Sequence, residues 1–159
     1  MLQIGEGARH WFRGNLSAPL LVGDVVAALS DEGVLRAYSA SDPERRLWTA
    51  RVGPNQSPKL IAVGDRVVVT ASELVGLRLA TGKEVWSAPV TDAYFGVTDD
   101  PTRVVAISRT NGSLAVVDTR DGNLVADFAL HDAPPGAVLH DGTLVWTGSG
   151  GVVTTARLP

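Results

Sequence analysis

The sequence predicts an all-β fold, a β-propeller of four four-stranded blades, and three observations predict it. Short apolar runs rich in valine alternate with Gly- and Asp-bearing turns, and no segment sustains a 3.6-residue apolar period. The chain also repeats itself. Trp11, Trp48 and Trp86 are 37 and 38 residues apart, Gly23-Asp24 and Gly64-Asp65 are 41 apart, and Gly82 and Gly122 are 40 apart. A period near 40 residues with several strands per unit is the mark of propeller blades. Finally, a lone N-terminal strand, three sets of four and a last set of three make sixteen strands.

The elements follow in order, in a single domain over 1–159. His10-Trp11-Phe12-Arg13 reads as an outer strand at 10–14, before a loop from Gly14 to Pro19. Blade one, about 19–52, has strands at Leu20-Leu21-Val22, Val25 to Ser30, Val34 to Ser39 and Arg46 to Val52, separated by Gly23-Asp24, Asp31-Glu32-Gly33 and Ser41-Asp42-Pro43-Glu44. Blade two, about 58–90, has Leu60 to Val63, Val67 to Ala71, Val75 to Leu79 and Glu84 to Ala88. Blade three, about 94–130, has Tyr94 to Val97, Arg103 to Ser108, Ser113 to Asp118 and Leu124 to Phe128. The last, about 135–159, has three strands: Gly136 to Leu139, Thr143 to Thr147 and Val152 to Arg157. Gly64-Asp65 and Asp141-Gly142 between apolar runs signal two-residue hairpins. The runs Val67-Val68-Val69, Val104-Val105 and Val116-Val117 suit strands buried on both faces.

The clearest copy of the repeat is Leu77 to Trp86. Gly82 stands where the reversal needs positive φ, Lys83 and Glu84 suit a solvated turn edge, and Val85-Trp86 restarts a strand. Thr81, Gly82, Lys83 and Trp86 match the pattern Ala-x-Asp-x-x-Thr-Gly-Lys-x-x-Trp, with Gly76 at the Ala position and Arg78 at the Asp position. The next copy keeps Asp118 and Gly122 but has Val116, Asp121, Asn123 and Ala126 elsewhere, and an earlier one has Ala37 and Trp48. In these residues the chain resembles the pyrroloquinoline-quinone-type (PQQ-like) β-propeller repeat family over nearly its whole length. The resemblance implies that Trp11, Trp48 and Trp86 wedge between neighbouring blades, a structural role, with Gly82 and Gly122 as structural turn residues. It implies fold more than activity.

The last blade lacks an outer strand and the chain begins with one to spare, so the ends complete each other if the two pair. Either one chain closes as a four-bladed ring, or two chains join head to tail, each N-terminal strand completing the partner's last blade. The second route gives an eight-bladed homodimer, the blade number typical of the family resembled, and C2 dimers are the commonest oligomers. Closure hides apolar faces and strand edges that an open arc leaves wet.

A chain of 159 residues can bury a substantial core. Its net charge of −3 predicts no general affinity for nucleic acid. With no cysteine there are no disulfides or thiolate metal sites. No stretch approaches the roughly 20 apolar residues of a membrane span, and Met1 to Gly7 lacks the features of a signal peptide. The expectation is a soluble chain without membrane insertion, its compartment unspecified; an extracytoplasmic domain of a larger bacterial protein fits this reading.

The candidate chemistry is sparse. Gly148-Ser149-Gly150-Gly151 precedes a strand, whereas a phosphate loop opens a helix. Asp99-Asp100, and Asp118 with Asp121, read as turn-capping residues, because the spacing of a calcium loop is absent. His10, His131 and His140 have no metal-ligand spacing, and no nucleophile elbow is present. The sequons at Asn15, Asn55 and Asn111 read as turn chemistry. No catalytic residue, metal or cofactor is therefore expected.

Propeller geometry gathers the loops from each outer strand to the next inner strand around one end of the central opening. Those loops carry Asn15, Asn55, Gln56, Asp92, Tyr94, His131 and Asp132, which are the candidate binding residues. The expected function is a non-enzymatic binding or scaffold module that presents this face to a protein, peptide or small ligand. One alternative, from another class, is a fragment or relative of a quinone-dependent dehydrogenase. Such enzymes use calcium ligands and often a vicinal cysteine pair, which this chain lacks. Another is a designed or truncated half-propeller made for assembly.

Overall fold

A computed structural model of the chain describes residues 2–3, 9–10, 17–55 and 57–159. Strands β1 (Leu2–Gln3) and β2 (Arg9–His10) pair with each other in a short antiparallel hairpin. Apart from His10, the expected outer strand at 10–14, with Trp11, lies outside the described residues. The rest of the chain forms four four-stranded sheets.

Blade 1 contains β3 (Leu20–Val22), β4 (Val25–Leu29), β5 (Val34–Ser39) and β6 (Arg46–Arg51) in simple antiparallel order. Blade 2 repeats this with β7 (Lys59–Val63), β8 (Arg66–Thr70), β9 (Leu74–Arg78) and β10 (Glu84–Ala88). Blade 3 is built from β11 (Ala93–Phe95), β13 (Arg103–Ser108), β14 (Ser113–Asp118) and β15 (Leu124–Ala129). Blade 4 consists of β16 (Ala137–His140), β17 (Thr143–Thr147) and β18 (Val153–Arg157), with β12 (Val97–Thr98) added on the inner side. Middle strands are valine-rich and buried on both faces, as at Val67, Val68 and Val69. Outer strands are more exposed, with Trp48 and Trp86 buried on β6 and β10 and no fully buried residue on β15.

One feature departs from the sequence reading. The run expected as a single strand, Tyr94 to Val97, breaks at Gly96, and Val97–Thr98 crosses to pair in parallel with Val138 and Leu139 of blade 4. Gly96 makes the crossing fit, because a Cβ there would lie 2.7 Å from the Ala137 carbonyl oxygen and 2.9 Å from Val105 Cγ1. Blade 4 thus gains its fourth strand from inside. Among the described residues, β18 has no outer neighbour. The Gly148–Gly151 stretch forms a short 3-10 turn at Ser149–Gly151 that leads into β18.

Three apolar cores hold the blades together, one at each successive seam. Blades 1 and 2 share Ala27, Leu35, Trp48, Val67, Val69 and Leu77. Blades 2 and 3 share Val68, Leu74, Trp86, Val104, Ala106 and Ala115. Blades 3 and 4 share Ile107, Leu114, Val116, Leu139, Leu144 and Trp146. Among the described residues no such core joins blade 4 to blade 1.

The tryptophans fix how neighbouring blades seat. From β6, Trp48 reaches blade 2, where its indole N–H donates to the Leu79 carbonyl at 2.9 Å and its ring lies on Gly82. From β10, Trp86 does the same in blade 3, donating to the Thr119 carbonyl at 2.7 Å with its ring on Gly122. Both glycines have positive φ, +67° and +77°, and a Cβ at either would run into the indole. At the third seam the register places Ala126 where the tryptophan would stand. There Trp146 fills the gap from the opposite side: it comes from β17 of blade 4 and stacks at a tilt on Phe128, centroids 5.3 Å apart.

Candidate functional site

The loops from outer to inner strands, together with the second-to-third-strand turns, form one end of the blade array. At the blade 1–2 boundary Asn55 is a brace. Its backbone N–H donates to the Asp31 carbonyl at 3.0 Å, and its side-chain amide donates to the Thr70 and Ala71 carbonyls, both at 3.3 Å. Its side-chain oxygen accepts from the Ser57 N–H at 2.9 Å. With both ends of its amide committed, Asn55 ties blade 1 to blade 2. Asp31, close by, has a buried carboxylate oxygen with no hydrogen-bond partner among the described residues. Asn15 and Gln56 lie outside the described residues.

The remaining candidates gather at blade 3. Asp92 has left-handed backbone, φ 45°; its carbonyl accepts from the Arg109 N–H at 3.1 Å and its exposed carboxylate from the Thr110 hydroxyl at 3.4 Å. The Tyr94 hydroxyl donates to the Pro134 carbonyl, which pins the 130–136 loop. Arg109 lies over the Tyr94 ring, its guanidinium carbon 5.1 Å from the centroid, an arrangement that favours cation–π attraction. Burial raises the Tyr94 pKa above the ordinary phenol value, against the opposing pull of the Arg109 charge, so the hydroxyl stays a donor at neutral pH. His131 and Asp132 are exposed on the loop that Tyr94 holds. The structure therefore brings Asp92 and Tyr94 together, links them to the loop of His131 and Asp132, and sets Asn55 apart at another boundary.

Arg109 and Thr110 were not among the sequence candidates. Their signal was available: they open the turn between the second and third strands of blade 3, which ends on the same side as the outer-to-inner loops. The cluster presents an aromatic ring, a guanidinium, two exposed carboxylates and an imidazole on braced backbone. Such a surface can hydrogen-bond and stack on a ligand.

At the other end, turn carboxylates are used locally. Asp24 accepts from the Ser39 hydroxyl and the Ser41 N–H, both at 2.7 Å. Asp100 accepts from the Thr102 N–H and hydroxyl. Asp118 accepts from the Arg120 N–H and guanidinium, and Asp99 pairs with His140. A recess of about 150 Å³ lies between Ile61–Gly64 and Thr98–Pro101. Among the described residues, no group of three acidic or histidine side chains could hold a metal ion, and no helix is long and apolar enough to cross a membrane.

Comparison with known proteins places this geometry. The family described as outer membrane protein assembly factor BamB matches residues 7–157. No curated protein sequence matches the chain. Among solved structures, the computationally designed Ika4 protein superposes with a TM-score of 0.75 at 16% identity, covering 96% of each chain. BamB from Moraxella catarrhalis superposes at 0.66 and 19% identity, over 91% of this chain and 46% of its own. The C-terminal WD40 domain of Sif2 does so at 0.73 and 15% identity, over 94% of this chain and 48% of its own. The chain spans about half the length of the last two. At these identities the likeness is one of fold, an all-β propeller.

Proposed function

Because the chain belongs to the family of the outer membrane protein assembly factor BamB, we propose that it is a non-enzymatic β-propeller scaffold module that binds a protein or peptide partner on its Asp92–Tyr94–His131 loop face. Rigid β scaffolds commonly carry recognition residues on such loops. The observation that carries the reading is the brace at blade 3. Tyr94 is tied to Pro134 and covered by Arg109, which holds Asp92, His131 and Asp132 on ordered backbone. Preorganised polar and aromatic groups bind with a smaller ordering cost than mobile ones.

The test uses a synthetic array of overlapping peptides, probed with the wild-type chain and with the Asp92→Ala/His131→Ala double variant. Spots that retain the wild type and lose the double variant, with unchanged circular dichroism, support the reading. Identical patterns for the two proteins contradict it. Absorbance after incubation with pyrroloquinoline quinone and calcium tests the dehydrogenase alternative, which predicts a bound-quinone spectrum.

A further inference from the structure

The two end blades expose positions that the internal seams bury wholly or in part. The first two strands of blades 1, 2 and 4 align through their two-residue turns at Gly23-Asp24, Gly64-Asp65 and Asp141-Gly142. On the face turned towards the next blade, the paired positions are Leu20 with Ala27, Ile61 with Val68, and Val138 with Val145. Ala27 and Val68 are 0% exposed under the following blade. At the same position as Ile61, Val138 is 44% exposed, and Val97, paired beside it, is 67% exposed.

The opposite face behaves as the mirror case. Its paired positions are Leu21 with Val26, Ala62 with Val67, and Leu139 with Leu144. Val67 and Leu144 are fully buried under the preceding blade, while Leu21 of blade 1 is 66% exposed. One end of the chain thus offers the leading half of a blade seam and the other end the trailing half. The row Val97, Val138, Val145 runs across three hydrogen-bonded strands and ends at β18, whose outer edge is unpaired among the described residues. Apolar rows and free edges of this kind attract a matching surface.

We propose that the surface covering both ends is a second copy of this chain, blade 4 of each seating on blade 1 of the other to close an eight-bladed ring. The occupant follows from complementarity. A twofold axis along the ring centre satisfies both half-seams at once, which gives a closed C2 dimer. Each new seam sets the apolar face of Val97, Val138 and Val145 against that of Leu21 and Val26. This proposal does not depend on what the blade 3 loop face binds.

The chain has no cysteine, so engineered thiols report the contact cleanly. Wild-type chain is expected to run at twice the single-chain mass in light scattering at tens of micromolar. Leu21→Cys chains mixed with Val138→Cys chains should oxidise to a covalent dimer, and neither variant alone should do so to the same extent. A chain carrying both cysteines should give a covalent dimer. A covalent product of single-chain mass from that double variant would mean a four-bladed ring and overturn the proposal. So would a single-chain mass for the wild type across that range, which assigns the end faces to another occupant.

Discussion

The indole N–H of Trp86 crosses a blade boundary to donate to the carbonyl oxygen of Thr119 at 2.7 Å, and the same ring covers Gly122. Trp48 repeats this against Leu79 and Gly82 one blade earlier. These two seams therefore combine an apolar contact with a hydrogen bond that satisfies both a buried donor and a turn carbonyl. Two blades cannot slide past one another without breaking both.

Trp86→Ala is expected to reduce unfolding free energy by about 3–5 kcal/mol, the cost of truncating a core aromatic. Trp86→Phe should cost less: it keeps most of the apolar contact and leaves the Thr119 carbonyl unpaired, worth about 1–3 kcal/mol. Urea titration followed by circular dichroism measures both. An unchanged midpoint for Trp86→Ala would remove the tryptophan from its role at the seam.

Gly122→Ala should destabilise more than Gly150→Ala, although both positions have φ +77°. Both substitutions bear left-handed backbone strain of about 1–2 kcal/mol. Only at Gly122 would the new Cβ also meet three Trp86 atoms at 2.9 Å, whereas nothing lies within 4 Å at Gly150. Overpacking adds about 1–3 kcal/mol. In a Trp86→Ala background the part of the excess owed to the indole ring should go while the contact with Cβ stays, a coupling that a double-mutant cycle reads directly.

The four sheets were legible because turn glycines and valine runs recur near every 40 residues, and Thr81-Gly82-Lys83 with Trp86 carries the family pattern outright. The crossing at Gly96 was not legible. A parallel two-residue pairing has no local signature, and only the closeness of Ala137 and Val105 shows why a glycine stands there. Trp146 breaks the spacing of the other tryptophans: it fills its seam from a middle strand of the following blade. The loop cluster was half legible. Asp92 and Tyr94 follow from strand order, but the partnership with Arg109 needs the blade 3 fold to bring residues of two different loops together.

Asp118 makes stability depend on pH in a defined direction. Its hydrogen bonds from the Arg120 side chain hold the folded-state carboxyl below its ordinary value, against the opposing effect of burial. A depressed folded pKa contributes stability that is fully present above the unfolded value, about 3.9, and is lost as pH falls through the folded one. Wild-type protein should therefore lose more stability between pH 6 and pH 3, bounds spanning roughly that transition, than Asp118→Asn. Parallel pH profiles for the two proteins would show that the Asp118–Arg120 pair contributes nothing.

Tyr94→Phe should separate the brace from the fold. The substitution removes the bond to the Pro134 carbonyl while keeping the ring beneath Arg109. A single neutral hydrogen bond contributes about 0.5–1.5 kcal/mol, so the melting curve should shift little. The 130–136 loop, by contrast, loses a side-chain tie to blade 3, and amide hydrogen exchange at Leu130, whose N–H donates to the Gly112 carbonyl at 3.1 Å, should quicken. If the loop face binds its partner through ordered His131 and Asp132, peptide retention should fall in Tyr94→Phe although the variant changes neither residue. Faster exchange with undiminished retention would move recognition away from that loop and leave Asp92 and Arg109 as its centre.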